Sequence, residues 1–90
     1  MASMKKNEKF YIEGHRAKTS LEDENTLLID RPEAYPSLQE ATQKAKQYFD
    51  TEKELSLAVI YKEDPLGECE GVKFFYRDEE GNLEQADLFW

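Results

Sequence analysis

Leu55-Ser56-Leu57-Ala58-Val59-Ile60-Tyr61-Lys62 is the stretch on which the fold turns. Leu55, Leu57, Val59 and Tyr61 alternate with smaller or polar residues, Ile60 apart, and this period of two belongs to a half-buried strand. Glu63-Asp64-Pro65-Leu66-Gly67 follows, where Pro and Gly end the pairing. Val72 to Arg77 then repeats the alternation, with Val72, Phe74 and Tyr76 on one face and Lys73, Phe75 and Arg77 on the other. Asp78-Glu79-Glu80-Gly81-Asn82 supplies a hairpin loop in which Gly81 and Asn82 can take positive φ, and Leu83–Phe89 returns as a third antiparallel strand.

Working upstream, Tyr35-Pro36-Ser37-Leu38-Gln39-Glu40 marks a helix start. Ser37 can accept from the Glu40 amide while the Glu40 carboxylate returns to the Ser37 amide, a capping box. Leu38, Ala41, Ala45, Tyr48 and Phe49 fall along one stripe of a 3.6-residue helix, which predicts an amphipathic helix over about 37–50. Lys44 and Lys46 sit towards its carboxyl end, where the helix dipole favours cations. Phe10-Tyr11-Ile12-Glu13 and Thr26-Leu27-Leu28-Ile29-Asp30 read as a weaker pair of strands joined by the polar Lys18–Asn25 loop. The order β-β-α-β-β-β predicts an α+β fold: a mostly antiparallel sheet of about five strands with one amphipathic helix packed on one face.

Ninety residues hold one core, so 9–90 is expected to form a single domain behind a flexible segment 1–8, in which Met1-Ala2-Ser3 can be a cloning remnant. Eleven aromatics (five Phe, five Tyr and Trp90) with 39% hydrophobic residues exclude a disordered chain although 36% of residues are charged. Twenty acidic against twelve basic residues give a net charge of −8, which repels phosphate backbones and anionic lipid. The sign is uneven along the chain: Lys5, Lys6, Lys9, Arg16 and Lys18 make the beginning basic, whereas Glu63-Asp64, Glu68, Glu70 and Asp78-Glu79-Glu80 make the end acidic. Direct nucleic-acid binding and membrane association are not expected. The longest apolar runs, Leu57-Ala58-Val59-Ile60 and Leu88-Phe89-Trp90, fall far short of the ~20 residues of a membrane span. Cys69 cannot form an internal disulfide by itself, and no early stretch has signal-peptide character, so a reducing, cytoplasmic setting is expected.

Catalytic chemistry finds little supply. His15 is the only imidazole, and no Gly-x-Ser-x-Gly turn or Cys–His pairing accompanies it. Cys69 stands between Glu68 and Glu70, whose carboxylates disfavour its thiolate. One Cys and one His close the usual zinc routes. Asp78, Glu80, Asn82 and Glu84 have the i, i+2, i+4, i+6 spacing of a calcium loop, but the Asp-x-Asp-x-Asp-Gly order is missing and the twelfth position is Phe89. The glycines Gly14, Gly67, Gly71 and Gly81 are scattered, so no phosphate-cradling loop forms. Phe74-Phe75-Tyr76 between Lys73 and Arg77 has the character of a base-stacking strand, yet it adjoins acidic loops on both sides and reads more simply as core. Neither catalytic residues, nor cofactor-binding residues, nor metal ligands are assigned.

Surface accounting carries the functional expectation. A helix of about 13 residues is ~20 Å long and covers only the middle of one face of a five-stranded sheet. With Leu57/Val59/Tyr61 and Val72/Phe74/Tyr76 placed under the helix, the other face carries Ala58, Ile60 and Phe75, with Tyr11 or Phe10 and Phe89 or Trp90 beside them. Contiguous exposed apolar surface marks association. The expected function is a small acidic, non-enzymatic interaction or regulatory domain that binds a protein partner or forms a homodimer through this face, with Phe75, Ile60, Lys73 and Arg77 as the candidate contacts. The alternative is an acidic mimic of nucleic acid, of phage or mobile-element type, that inhibits a DNA- or RNA-binding protein.

Overall fold

A computed structural model describes residues 8–17 and 25–87. In chain order they form β1 (Lys9–Arg16), β2 (Leu27–Asp30), α1 (Leu38–Thr51), β3 (Leu55–Glu63), β4 (Cys69–Arg77) and β5 (Leu83–Asp87). All neighbouring strands are antiparallel, in the order β2-β1-β3-β4-β5. The fold is α+β, as the periodicity predicts. The N-terminal segment up to Asn7, the stretch 18–24 and the Leu88–Trp90 end of the last expected strand lie outside the described residues.

Ser37 caps α1 in extended backbone, its hydroxyl accepting from the Glu40 amide at 3.2 Å. Among the described residues no bond returns from the Ser37 amide to the Glu40 carboxylate, so one half of the expected capping box is made. Ala41, Ala45 and Phe49 are the buried stripe, while Leu38 stays exposed and Tyr48 half-buried. No basic residue of the helix lies in its last turn. Lys44 instead lies over the Tyr48 ring, 5.2 Å from its centroid.

Two turns of one design flank β4. Asp64 and Asp78 each stand three residues before a glycine at positive φ, Gly67 at 88° and Gly81 at 86°. The Asp64 carboxylate accepts from the amides of Leu66 and Glu68, and that of Asp78 from the amides of Glu80 and Asn82, all at 2.8–2.9 Å. Backbone bonds complete the match, since the amides of Gly67 and Gly81 donate to the carbonyls of Asp64 and Asp78. Only glycine takes that left-handed position without a Cβ penalty. In the second turn the Asp78 carboxylate thus caps backbone amides, and Glu80 and Asn82 are the residues whose amides it holds. Among the described residues no three His, Cys, Asp or Glu side chains converge to hold a metal ion.

The core lies between α1 and one face of the sheet, and this is the face opposite to the one expected. Phe10, Ile12, Ile29, Tyr35, Leu55, Ala58, Ile60 and Phe75 are buried with Ala41, Ala45 and Phe49. Leu57, Val59, Tyr61, Phe74 and Tyr76 face away. Helix size explains the reversal. α1 offers two alanines and one Phe, and it packs on the face of β1 and β3 that carries the small Ala58 among Ile12, Leu55 and Ile60. Three bulges also shift the alternation, at Leu28, Ser56 and Val72, where one strand carries a residue without a register partner. Val72 packs against the core cluster in consequence, separated from Phe74 and Tyr76. Tyr35 bridges to Phe10 by two backbone bonds and completes the outer side of β1 beyond β2. Its buried hydroxyl lies close to Tyr48 without a hydrogen-bond partner, and burial pushes its ionisation up.

Candidate protein-binding face

The four residues expected to meet a partner do not share an exposed surface. Phe75 and Ile60 are fully buried under the helix. Lys73, on the same side of β4, is largely buried and holds Asp87 at 3.1 Å across the β4–β5 pair. Arg77 is part of the fold: its Nη2 donates to the Phe49 carbonyl at 2.6 Å and its Nε to the Leu55 carbonyl at 2.9 Å. The guanidinium also lies 5.1 Å from the Phe49 ring centroid. β4 thereby supplies the cation that the last turn of α1 lacks, satisfying carbonyls at the negative end of the helix dipole. Arg77→Met, which keeps the aliphatic length, is expected to destabilise the domain by about 2 kcal/mol. A shift of the urea midpoint measures it, and an unchanged midpoint would mean that the helix end is held by other contacts.

Among the described residues no helix or strand packs on the other side of the sheet. Cross-strand register puts Leu57 opposite Tyr76 and Val59 opposite Phe74, with Tyr61 next along β3 and paired to Tyr11 of β1. The Phe74 and Tyr76 rings stack with centroids 5.7 Å apart. Tyr11, Leu57, Val59, Tyr61 and Phe74 are half-buried by their neighbours, and Tyr76 is exposed at 37%. Together they form a contiguous apolar and aromatic patch across three central strands. Tyr11, Tyr61 and Tyr76 are on the open face with Phe74, while Phe10, Ile60 and Phe75 are on the buried one. A phenol can lie flat on apolar neighbours and still reach a polar partner.

Polar groups rim this patch. The Tyr11 hydroxyl donates to the Glu63 carboxylate at 2.9 Å, and that bond, with burial adding to it, raises the Tyr11 ionisation. Arg31 Nε lies 3.3 Å from the Glu13 carboxylate and the guanidinium stands 6.0 Å from the Tyr61 ring centroid. Burial, then the nearby Glu13 charge, raise the Tyr61 ionisation. Arg31 reaches this position from backbone at φ 48°, a conformation uncommon outside glycine. His15 is held between Thr26 Oγ1 at 3.1 Å and Glu13 at 3.6 Å.

This geometry also separates the two groups that could have formed a nucleophile–base pair. His15 is in register with Leu57, whereas Cys69 is in register with Glu63, at the far end of the same strand. Six residues of strand, ~20 Å, lie between them. Cys69 is exposed, in a shallow site with Lys62, Asp64, Glu68 and Glu70. Among the described residues no helix is long and apolar enough to cross a membrane. Comparison of the chain with protein-family models, curated proteins and solved structures returned no match.

Proposed function

We propose that the chain is a small non-enzymatic interaction domain that receives a protein partner on the open face of its sheet. The observation behind it is the patch of Tyr11, Leu57, Val59, Tyr61, Phe74 and Tyr76, apolar at its centre and rimmed by Glu13, Arg31 and Glu63. A hydrophobic centre with a polar rim is the anatomy of a recognition surface, and aromatic anchors supply most of the energy in such surfaces. The contact set is therefore these residues in place of the buried Phe75 and Ile60.

Val59→Glu tests the proposal. The side chain points away from the helix, so the thermal midpoint is expected to stay within a few degrees of wild type. A carboxylate at the centre of an apolar interface costs about 2 kcal/mol or more of binding, which sedimentation reads as lost self-association and affinity capture from the native host as a lost partner. If Val59→Glu and Phe74→Glu stay folded with the captured proteins and sedimentation unchanged, the open face is not the interface.

Mimicry of nucleic acid is the second function that one observation favours. Nine carboxylates lie between Glu63 and Asp87 against two cations, Lys73 and Arg77, so the excess negative charge belongs almost wholly to the β4–β5 half. Against it, the acids gather in two turns at opposite ends of β4, unlike the regular charge of duplex DNA, one per ~1.7 Å of helix axis. A captured nucleic-acid-binding protein that free duplex DNA displaces would decide for mimicry.

A further inference from the structure

β5 is an edge strand, and no strand among the described residues occupies its outer side. Its pairing with β4 begins at the bond from the Asp78 amide to the Asn82 carbonyl and runs without a register shift to Lys73 and Asp87. Bonded and non-bonded pairs alternate in an antiparallel ladder. Glu84 and Ala86 therefore turn their backbone groups towards β4, while Leu83, Gln85 and Asp87 turn theirs outward. Such an unpaired row is a template for another strand. β2, the other edge, is a poorer one: it has four residues, a bulge at Leu28, and ends at the positive φ of Arg31 followed by Pro32.

Two further features lie beside the β5 edge. Because α1 lies chiefly across β1 and β3, a groove of about 340 Å³ remains between helix and edge, lined by Lys46, Leu83, Glu84 and Gln85 with Phe75 at its base. The charge around the edge is acidic. Asp78, Glu79 and Glu80 stand at one end of β5 and Glu84 along it, against one cation at the groove, Lys46, while Lys73 is paired with Asp87 and Arg77 with helix carbonyls. A second copy of the chain brings the same acids to this edge and is repelled; a basic strand is attracted.

We propose that β5 takes an extended basic segment of a partner protein as a sixth strand. One large apolar side chain of that segment enters the groove beside α1, and its alternate arginine or lysine side chains lie over Glu84 and Tyr76. The proposal rests on the reading of the chain as a protein-binding domain, but it uses the sheet edge and not the open face.

The probe is a capped, fluorescein-labelled peptide, Arg-Val-Arg-Phe-Arg-Val-Arg, titrated with the full chain by fluorescence anisotropy. A second peptide of the same sequence is N-methylated at two neighbouring central residues, which blocks both of its edges and keeps all its charge. N-methylation is expected to weaken binding about tenfold or more. Gln85→Pro, which removes an outward amide and leaves the bonds to β4, is expected to weaken the parent peptide similarly, with circular dichroism confirming the fold. Glu84→Lys should weaken it as well, whereas Val59→Glu should not. Absence of binding overturns the proposal, as does equal binding of the two peptides, since the attraction is then charge alone. If Val59→Glu loses the peptide and Gln85→Pro keeps it, the edge is overturned and the open face stands. If the edge binds as described while open-face variants keep every partner, the open face is overturned and the edge stands.

Discussion

Phe75→Glu is expected to unfold the domain, and nothing milder. Phe75 has no exposed surface, sits in register between Ala58 of β3 and Gln85 of β5, and belongs to the cluster beneath α1. Removing the ring alone costs about 3–5 kcal/mol. A carboxylate in the same place adds several kcal/mol more, through desolvation or through the protonation that avoids it. A small domain has about 5–15 kcal/mol of stability in total, and a 90-residue chain is towards the lower end. Circular dichroism and amide chemical-shift dispersion report the outcome, and a dispersed, folded spectrum would show that the two faces of β4 are placed the wrong way round. Val59 neighbours Ala58, the register partner of Phe75, yet its side chain is on the opposite face and its substitution should leave the fold in place.

Gly14→Val is the next largest effect, expected at about 2–3 kcal/mol. A Cβ at Gly14 would stand 2.7 Å from Leu55 Cδ1, 3.0 Å from Ile29 Cδ1 and 3.2 Å from Ile29 Cβ. The Leu55 methyl can swing aside, so Gly14→Ala should cost less, about 1 kcal/mol. The two further methyls of valine must displace Ile29 at its branch, which is carried by the backbone of β2. Chemical denaturation of the two variants gives the order, and a Val variant as stable as Ala would mean that β2 is free to move away. Glycine is retained here for want of space, since its φ is ordinary.

The elements were legible because each has its own period and punctuation. Ser37 and Glu40 announce α1, Asp64 to Gly67 and Asp78 to Gly81 announce the turns, and the alternation from Leu55 to Tyr61 announces a strand. Which face each strand buries was harder, since β3 and β4 carry large apolar residues on both. Choosing the bulkier set, Leu57, Val59 and Tyr61, put the wrong side under the helix. Two signals pointed the other way: a helix stripe built on Ala41 and Ala45 wants a low seat, and Tyr61 and Tyr76, whose hydroxyls need polar partners, belong to the set placed under the helix. Gly14 was not legible as a close approach, because the strand was expected to end at Glu13 and in the fold runs on to Arg16. The role of Arg77 was not legible. It depends on where α1 ends in space, and the one hint was the absence of a cation in that helix's last turn. The bulges at Leu28, Ser56 and Val72 are likewise settled by neighbours and not by local pattern. Consequently the candidate contacts moved from Phe75 and Ile60 to the opposite surface, while the expectation of an uncovered apolar face survived.

The twin aspartate–glycine turns divide the sheet by the time its parts need to meet. β3, β4 and β5 are joined by loops of only five residues, and closing so short a loop takes tens of nanoseconds and little chain entropy. β1 must instead find β3 across about forty residues that include the whole helix, a slower search. The meander can therefore pair before β1 arrives, although Phe10 and Ile12 on β1 help to close the core above it. That long closure is the slow step, so a defect in β1 is felt at the barrier and the Gly14→Val chain should come together more slowly as well as come apart faster.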